Sequence, residues 1–394
     1  VIHSTGKEMM LRRSRGHSPS PLRSPFRIPA AILACGGHFN NVFALGRDDE
    51  VYMSHHIGDM ENLEALNSFE TGVSHLETIL DIKPEVIAYD MHPDYLSTQY
   101  AEKRAGSDKT PVVRIQHHHA HIASCMADCG LPDRPVIGVA FDGTGYGTDG
   151  TIWGGEFLVA DYGSFRRAAH LRPVPMPGGD AAVREPWRMA AVHLHEAFGG
   201  DFPGPETTFT RRLNKDKWKM LDAMIRHGVN SPLTSSMGRL FDAVAALIGI
   251  RDVSHYHGQA AIELEQNAYA TSCGDPYEFS MSVSGSCLEI ETTPVIRALV
   301  RDLEEGVDAA EISARFHCAV VIMTRRVCAA IRDETGIGEA VLSGGVFQNM
   351  ILLDLCREGL VHDGFRVHIH EKVPPNDGGI ALGQTLIAAR MMKE

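Results

Sequence analysis

Apolar residues recur at three- and four-residue spacing across 61–80 (ENLEALNSFETGVSHLETIL), and that period predicts an amphipathic helix. Ahead of it, 31–45 (AILACGGHFNNVFAL) reads as a strand, a glycine turn and a second strand, with Val51–His56 as a third. Pro84–Tyr89, in PEVIAYD, is a short apolar run bounded by polar residues and predicts a buried strand. Residues 117–130 predict a further helix.

The pattern then restarts. PVIGVAF (135–141) predicts a strand running into the glycine-rich turn DGTGYGTDGT, and GEFLVADYG predicts the strand that follows. Two strand–glycine turn–strand openings imply two related α/β lobes with a cleft between them. That is the plan of the actin-like and sugar-kinase-like ATPases (the ASKHA fold), whose opening hairpins hold phosphate. Residues 181–250 are mostly helical in pattern and read as an insertion in the second lobe. A long helix is predicted over 308–335. AVLSGGVFQN (340–349) predicts strand, glycine turn and helix start, and a last helix follows PPNDGG to Glu394. SRGHSPSPLRSPFRIP (14–29) is rich in Ser and Pro and reads as an extended linker, with the compact fold starting near Ala30. The expected division is a tail and linker at 1–28, a first lobe at 29–134 and a second lobe at 135–394.

Composition narrows the class. Hydrophobic residues make up 44% and charged residues 22% of the 394, which suits a folded domain and excludes a disordered chain. No apolar run is long enough for a membrane helix and no signal peptide opens the chain, so a cytoplasmic protein without membrane contact is expected. The net charge of −13 makes nucleic acid a poor partner. The basic head differs: Lys7, Arg12, Arg13, Arg15, Arg23 and Arg27 face one acid, Glu8. With Val1 rather than Met in front, it reads as the end of a segment cut from a longer protein. The cysteines (35, 125, 129, 273, 287, 318, 328, 356) form no CxxC pair and read as reduced thiols, with Cys125 and Cys129 one helical turn apart.

The densest chemistry is QHHHAH (116–121). On a helix, His117 and His121 share a face and can take one metal ion. A His-rich surface helix is the plain alternative. Asp377, in VPPNDGGIALG, is the best third ligand, and its plain alternative is a helix N-cap. Two histidines and a carboxylate with open positions suit iron, and zinc with a water also fits. Asp142, Gly143 and Thr144, in FDGTGYGTDG, can cradle phosphate or a metal-bound water, unless they form only a tight hairpin. Gly344 and Gly345 allow an adenine ring to lie on the backbone, with Asn349 bonding base or ribose or simply capping a helix. Asp242 lies in the apolar stretch of GRLFDAVAALIG and needs a partner, either a ribose diol or Arg239 or Arg251. REPWRMA (184–190) is an anion site or an internal ion pair. No GxSxG elbow, Walker lysine turn or Rossmann GxGxxG is present.

Together QHHHAHIAS, FDGTGYGTDGTIWGGEFL, REPWRMA, SSMGRLFDAVAALIG, LSGGVFQN and VPPNDGGIALGQ resemble the HypF family of carbamoyltransferases, maturation factors of nickel–iron hydrogenases. HIGDMENLEAL and DMHPDYLSTQYA resemble the same family, so the resemblance spans essentially the whole chain. MLRRSRGHSPSPLRSPF looks like the tail of that family's YrdC-like domain, which would make this chain the C-terminal, TsaD-like half.

The resemblance implies specific roles. His117, His121 and Asp377 match the family's metal residues; Asp142, Gly143 and Thr144 its phosphate turn; Asp242 a ribose contact; Gly258 the glycine turn after that helix; Asn349 the asparagine of the GGVxxN turn. It implies carbamoyl-adenylate, made from carbamoyl phosphate and ATP by the absent half, as the bound intermediate. The acceptor it implies is the C-terminal cysteine of HypE; the histidine cluster itself points to His118 or His119 as positioning the thiol or serving as its base. Asn40 and Val42 stand where the family commonly has Lys and Thr, and His257 where it has Glu. The competing readings are a small-molecule O-carbamoyltransferase, a TsaD-like tRNA-modifying enzyme and an inactive HypE-docking module.

Overall fold

The structure, a computed structural model, describes residues 2–4, 7–14, 16–199, 205–269, 271 and 274–392. Val1, Arg15, Cys273 and Glu394, singled out above, lie outside them. The fold is mixed α/β, with two large sheets and a two-stranded antiparallel pair, Ile2–Ser4 with Lys7–Met9.

The first sheet has four strands in the order Ala44–Met53, Leu22–Ala34, Val86–Asp90, Val112–Ile115. The first two are antiparallel and the rest parallel. The strand begins at Leu22, paired with Val51, so much of the stretch read as linker belongs to the sheet. Its prolines do not prevent this, because Pro25 and Pro29 fall at two register shifts where no ladder donor is needed. The helix expected over 61–80 is Leu63–Leu80, capped by Asn62, whose side chain accepts the Ala65 N–H.

The second sheet has nine strands. Its main path runs Ser280–Ser284, Cys287–Glu291, Phe165–Leu171, Ile152–Ala160, Val136–Tyr146, Glu339–Ser343, Arg366–His368. Helices Pro186–Phe198, Lys215–Arg226 and Met237–Leu247 fill most of 181–250. The long helix is Ala309–Thr335, started by Asp308 and ended by Gly336 in a left-handed conformation.

Two helices join the sheets. His117–Asp128 is buried along its whole length, which rules out the surface-helix alternative. The last helix, Ile380–Met391, packs on it and on strands Leu22–Ala34 and Ala44–Met53. A shared apolar core containing Ile32, Val86, Ala120, Val341 and Leu386 cements the contact. The helices cross at Gly383, where a Cβ would lie 1.9 Å from the Ala120 carbonyl oxygen.

The cysteine expectation needs a correction. Cys35, Cys125, Cys129, Cys287, Cys328 and Cys356 are free thiols, but Cys318 is disulfide-bonded. Sequence spacing carries no information on which distant thiols a fold brings together. Among the described residues no helix is long and apolar enough to cross a membrane.

Candidate metal and nucleotide site

The buried helix starts at the end of strand Val112–Ile115, with Gln116 as N-cap: its Oε1 accepts the His119 N–H at 2.8 Å. His117 and His121, one turn apart, present their rings 5.0 Å from each other. Asp142, at the turn in Val136–Tyr146, lies 3.2 Å from His117 Nε2 and 3.4 Å from His121 Nε2. Asp377 Oδ1 lies 3.7 Å from both. One ligand atom from each of the four falls within 4.8 Å of the others, and all four residues are buried.

The loop that carries Asp377 is tied to the same helix. Asp128 accepts the backbone N–H groups of Glu371, Lys372 and Val373 at 2.8, 3.0 and 3.2 Å. Ser124 Oγ donates to the Gly379 carbonyl at 2.7 Å. Asn376, not Asp377, caps the short turn Asp377–Gly379 by accepting the Gly378 N–H, which leaves the Asp377 carboxylate for the histidines.

The charges are mutually dependent. Burial lowers the His117 pKa, but Asp90, Asp377 and Asp142 outweigh it and hold the imidazole well above its ordinary range. His121 is likewise raised, by Asp142 and Asp377 against burial. Asp142 is held well below the carboxylate range by the two histidines, although burial opposes this. Two imidazoles and two carboxylates held this close form a set whose protons a divalent cation displaces. His121 Nε2 is buried without a hydrogen-bond partner, an orphan that such an ion satisfies. The N₂O₂ donor set fits iron or zinc.

The other two histidines diverge. His119 Nε2 donates to the Asp161 carbonyl at 2.6 Å, and its ring packs on Phe165, away from the cluster. His118 stays beside the cluster, 5.3 Å from the His117 ring. Gln116 Nε2 donates to His118 Nδ1 and to the Tyr146 carbonyl, both at 3.1 Å. Since Gln116 Oε1 is taken by His119 N–H, the amide orientation is assigned by its partners, and His118 Nδ1 must accept. Burial holds this imidazole well below its ordinary pKa. The neutral ring therefore carries its proton on Nε2, which is buried and unpartnered.

The two glycine turns meet at this cluster. Gly345 N–H donates to Asp142 Oδ1 at 3.3 Å, and Gly344 N–H to the Pro375 carbonyl at 3.0 Å. Gly143 and Thr144 follow Asp142, both half-buried. Asp242 pairs with Arg239 at 2.7 Å rather than with Arg251, which is held by Glu263. Asn349 caps helix Met350–His362 through the Leu352 N–H and donates to His317 Nε2 at 2.8 Å. Gly258 stands at the start of helix Gln259–Ala268 with φ 75°. In REPWRMA, Arg188 pairs with Glu185 over the Trp187 ring, an internal ion pair.

Of the departures, Asn40 has φ 46° and donates its N–H to Asp59, Val42 is buried, and His257 packs on Phe39 with ring centroids 4.4 Å apart. Sequence reasoning missed Asp90 and gave Asp142 to phosphate or a metal-bound water, not to the metal-ligand set itself. Asp90 accepts from His117 Nδ1, and its only sequence signal is an acid at the carboxyl end of a buried strand, where α/β sheets place ligands.

A family model described as "Carbamoyltransferase, Kae1-like Domain, second subdomain" matches residues 138–384, and one described as "HypF Kae1-like domain" matches 28–128. The chain belongs to the HypF carbamoyltransferase family. Carbamoyltransferase HypF2 of Cupriavidus necator is 39% identical over 96% of this chain and 49% of its own length. HypF of Synechocystis is 38% identical over 97% and 50%. A HypF homolog of Cupriavidus necator is 36% identical over 92% of each. The chain spans about half the length of the first two relatives. The crystal structure of full-length HypF in the phosphate- and nucleotide-bound form matches with a TM-score of 0.92 at 40% identity, covering 99% of this chain and 60% of that one. HypF of T. kodakarensis matches at 0.88 and 31%, covering 98% and 51%.

Proposed function

We propose that this chain is the carbamoyl-transfer domain of a HypF protein, built as two actin-like lobes of the ASKHA type. It takes carbamoyl-adenylate, made upstream from carbamoyl phosphate and ATP, and passes the carbamoyl group to the C-terminal cysteine thiol of HypE in the cytoplasm. The observation that carries this is the cluster of His117, His121, Asp142 and Asp377 where two glycine turns meet, in a chain of this family.

A carbamoyl-adenylate is a mixed anhydride and already activated, so the site must position it, exclude water and stabilise developing charge. His117, His121, Asp142 and Asp377 would hold a divalent iron or zinc ion, which would supply Lewis acidity when bound. Asp90 fixes the His117 tautomer, and the N–H groups of Gly143 and Gly345 hold Asp142 Oδ1 at 2.8 and 3.3 Å, which leaves Oδ2 facing the histidines. The acceptor attacks as thiolate, its proton having gone to solvent. The sulfur–carbon bond forms, the carbon–oxygen bond to phosphate breaks and AMP leaves with the electron pair. His118, with its proton on Nε2, serves as a donor to the carbamoyl oxygen rather than as the base for the thiol. His119 has no part in the step.

The test supplies the chain, loaded with iron or zinc, with synthetic carbamoyl-adenylate and a peptide ending in cysteine. The expected result is AMP release with the peptide S-carbamoylated, seen by mass spectrometry. AMP release with an unmodified peptide, or carbamoylation of a small alcohol in its place, contradicts the proposal.

A further inference from the structure

We infer that Arg239 is the anion anchor of the nucleotide site: its guanidinium binds the phosphoryl group carried on the Gly143 turn, with Asp242 holding it in position. The inference rests on the nucleotide reading above and extends it to a residue with no assigned role.

The geometry begins with Ser236, the N-cap of helix Met237–Leu247. Its Oγ accepts the Arg239 N–H and donates to the carbonyls of Asp142 and Gly143 at 2.8 and 2.6 Å, which pins the helix start to the turn. The approach is close: a Cβ on Gly238 would lie 2.9 Å from Gly143 Cα. Arg239 Nη2 therefore sits beside the turn, 3.8 Å from where a Gly143 Cβ would be.

The pair is not finished as a structural ion pair. Elsewhere Arg251 grips Glu263 with two bonds of 2.8 and 2.7 Å, and Arg325 grips Asp363 with two of 2.7 and 2.6 Å. Arg239 makes one 2.7 Å contact to Asp242, and both side chains are almost wholly buried, at 6% and 3% exposure. Its Nε and Nη1 are left without hydrogen-bond partners. Buried guanidinium N–H groups are rarely left idle, and their fork matches the oxygens of a phosphoryl group.

The test measures AMP and adenosine affinities by calorimetry for the metal-loaded chain, Arg239→Gln and Arg239→Lys. The parent should prefer AMP. Arg239→Gln should lose AMP affinity about 10- to 100-fold, the worth of charge-assisted bonds to one group, while adenosine affinity stays put. Retained adenosine binding also shows that the variant folds. Arg239→Lys, with charge but no fork, should fall between, and it takes over the test if the glutamine variant does not fold. An unchanged AMP-to-adenosine ratio in the folded variant overturns the inference alone. A parent that binds neither ligand overturns the nucleotide reading and the inference with it.

Discussion

Asp90 Oδ2 lies 2.7 Å from Nδ1 of His117, and both side chains are fully buried. An ionised carboxylate can only accept, so His117 keeps a proton on Nδ1, and Nε2 is the nitrogen whose proton a cation in the cluster would displace. Carboxylates behind metal-binding histidines fix the tautomer and raise ligand basicity. Asp90→Asn should weaken Zn²⁺ or Fe²⁺ affinity about 10- to 100-fold in a competitive chelator titration, with the thermal midpoint of the apo chain little changed. Parent-like affinity would refute the orienting role.

Gly145 makes room for the histidines. A Cβ there would lie 2.5 Å from His118 Cε1 and 2.7 Å from His117 Cδ2, and both rings are buried. Gly145→Ala should displace them and lower metal affinity at least as much as Asp90→Asn, in the same titration.

Gly383 tests the packing that aims Asp377. A Cβ 1.9 Å from the Ala120 carbonyl forces the last helix away from the histidine helix, and neither backbone can yield cheaply. Gly383→Ala should cost about 1–3 kcal/mol in denaturant unfolding, the usual range for overpacking. Metal affinity should fall with it, because residues 371–379 are bonded to the same helix.

The chain should lose stability in mild acid. His193 and His317 are buried, and burial pushes both from 6.5 down to about 4. Unfolded, they bind protons as pH falls through 6.5; folded, they resist until about 4. The unfolded state thus holds more protons in that window, and stability falls with pH by up to about 3 kcal/mol for each histidine. Urea midpoints at pH 7 and pH 5 measure the slope. His317→Gln should be weaker at pH 7, having lost the bond from Asn349, but should show a flatter slope. An equal slope would count against His317 as a source.

Local pattern revealed most of the elements, because the 61–80 helix, the buried EVIAYD strand and the two glycine hairpins are each decided by residues close in sequence. His117, His121 and Asp377 were legible through spacing and an unusual cluster. Asp90 was not, since only the parallel pairing of Val86–Asp90 with Val112–Ile115 brings it behind His117. Asp142 was legible as a holder of phosphate or a metal-bound water, but its place among the direct ligands depends on packing between strand and helix. The strand start at Leu22 was hidden by prolines that lie at register shifts, a feature of pairing rather than composition.

The most direct measurement is the metal content of the purified chain after loading with Fe²⁺ or Zn²⁺ and desalting, beside His121→Ala and Asp377→Ala, by elemental mass spectrometry. The account predicts about one ion per parent chain, as for a single four-donor site, and a marked loss in both variants. A parent that retains no metal, or variants that retain as much as the parent, would contradict it.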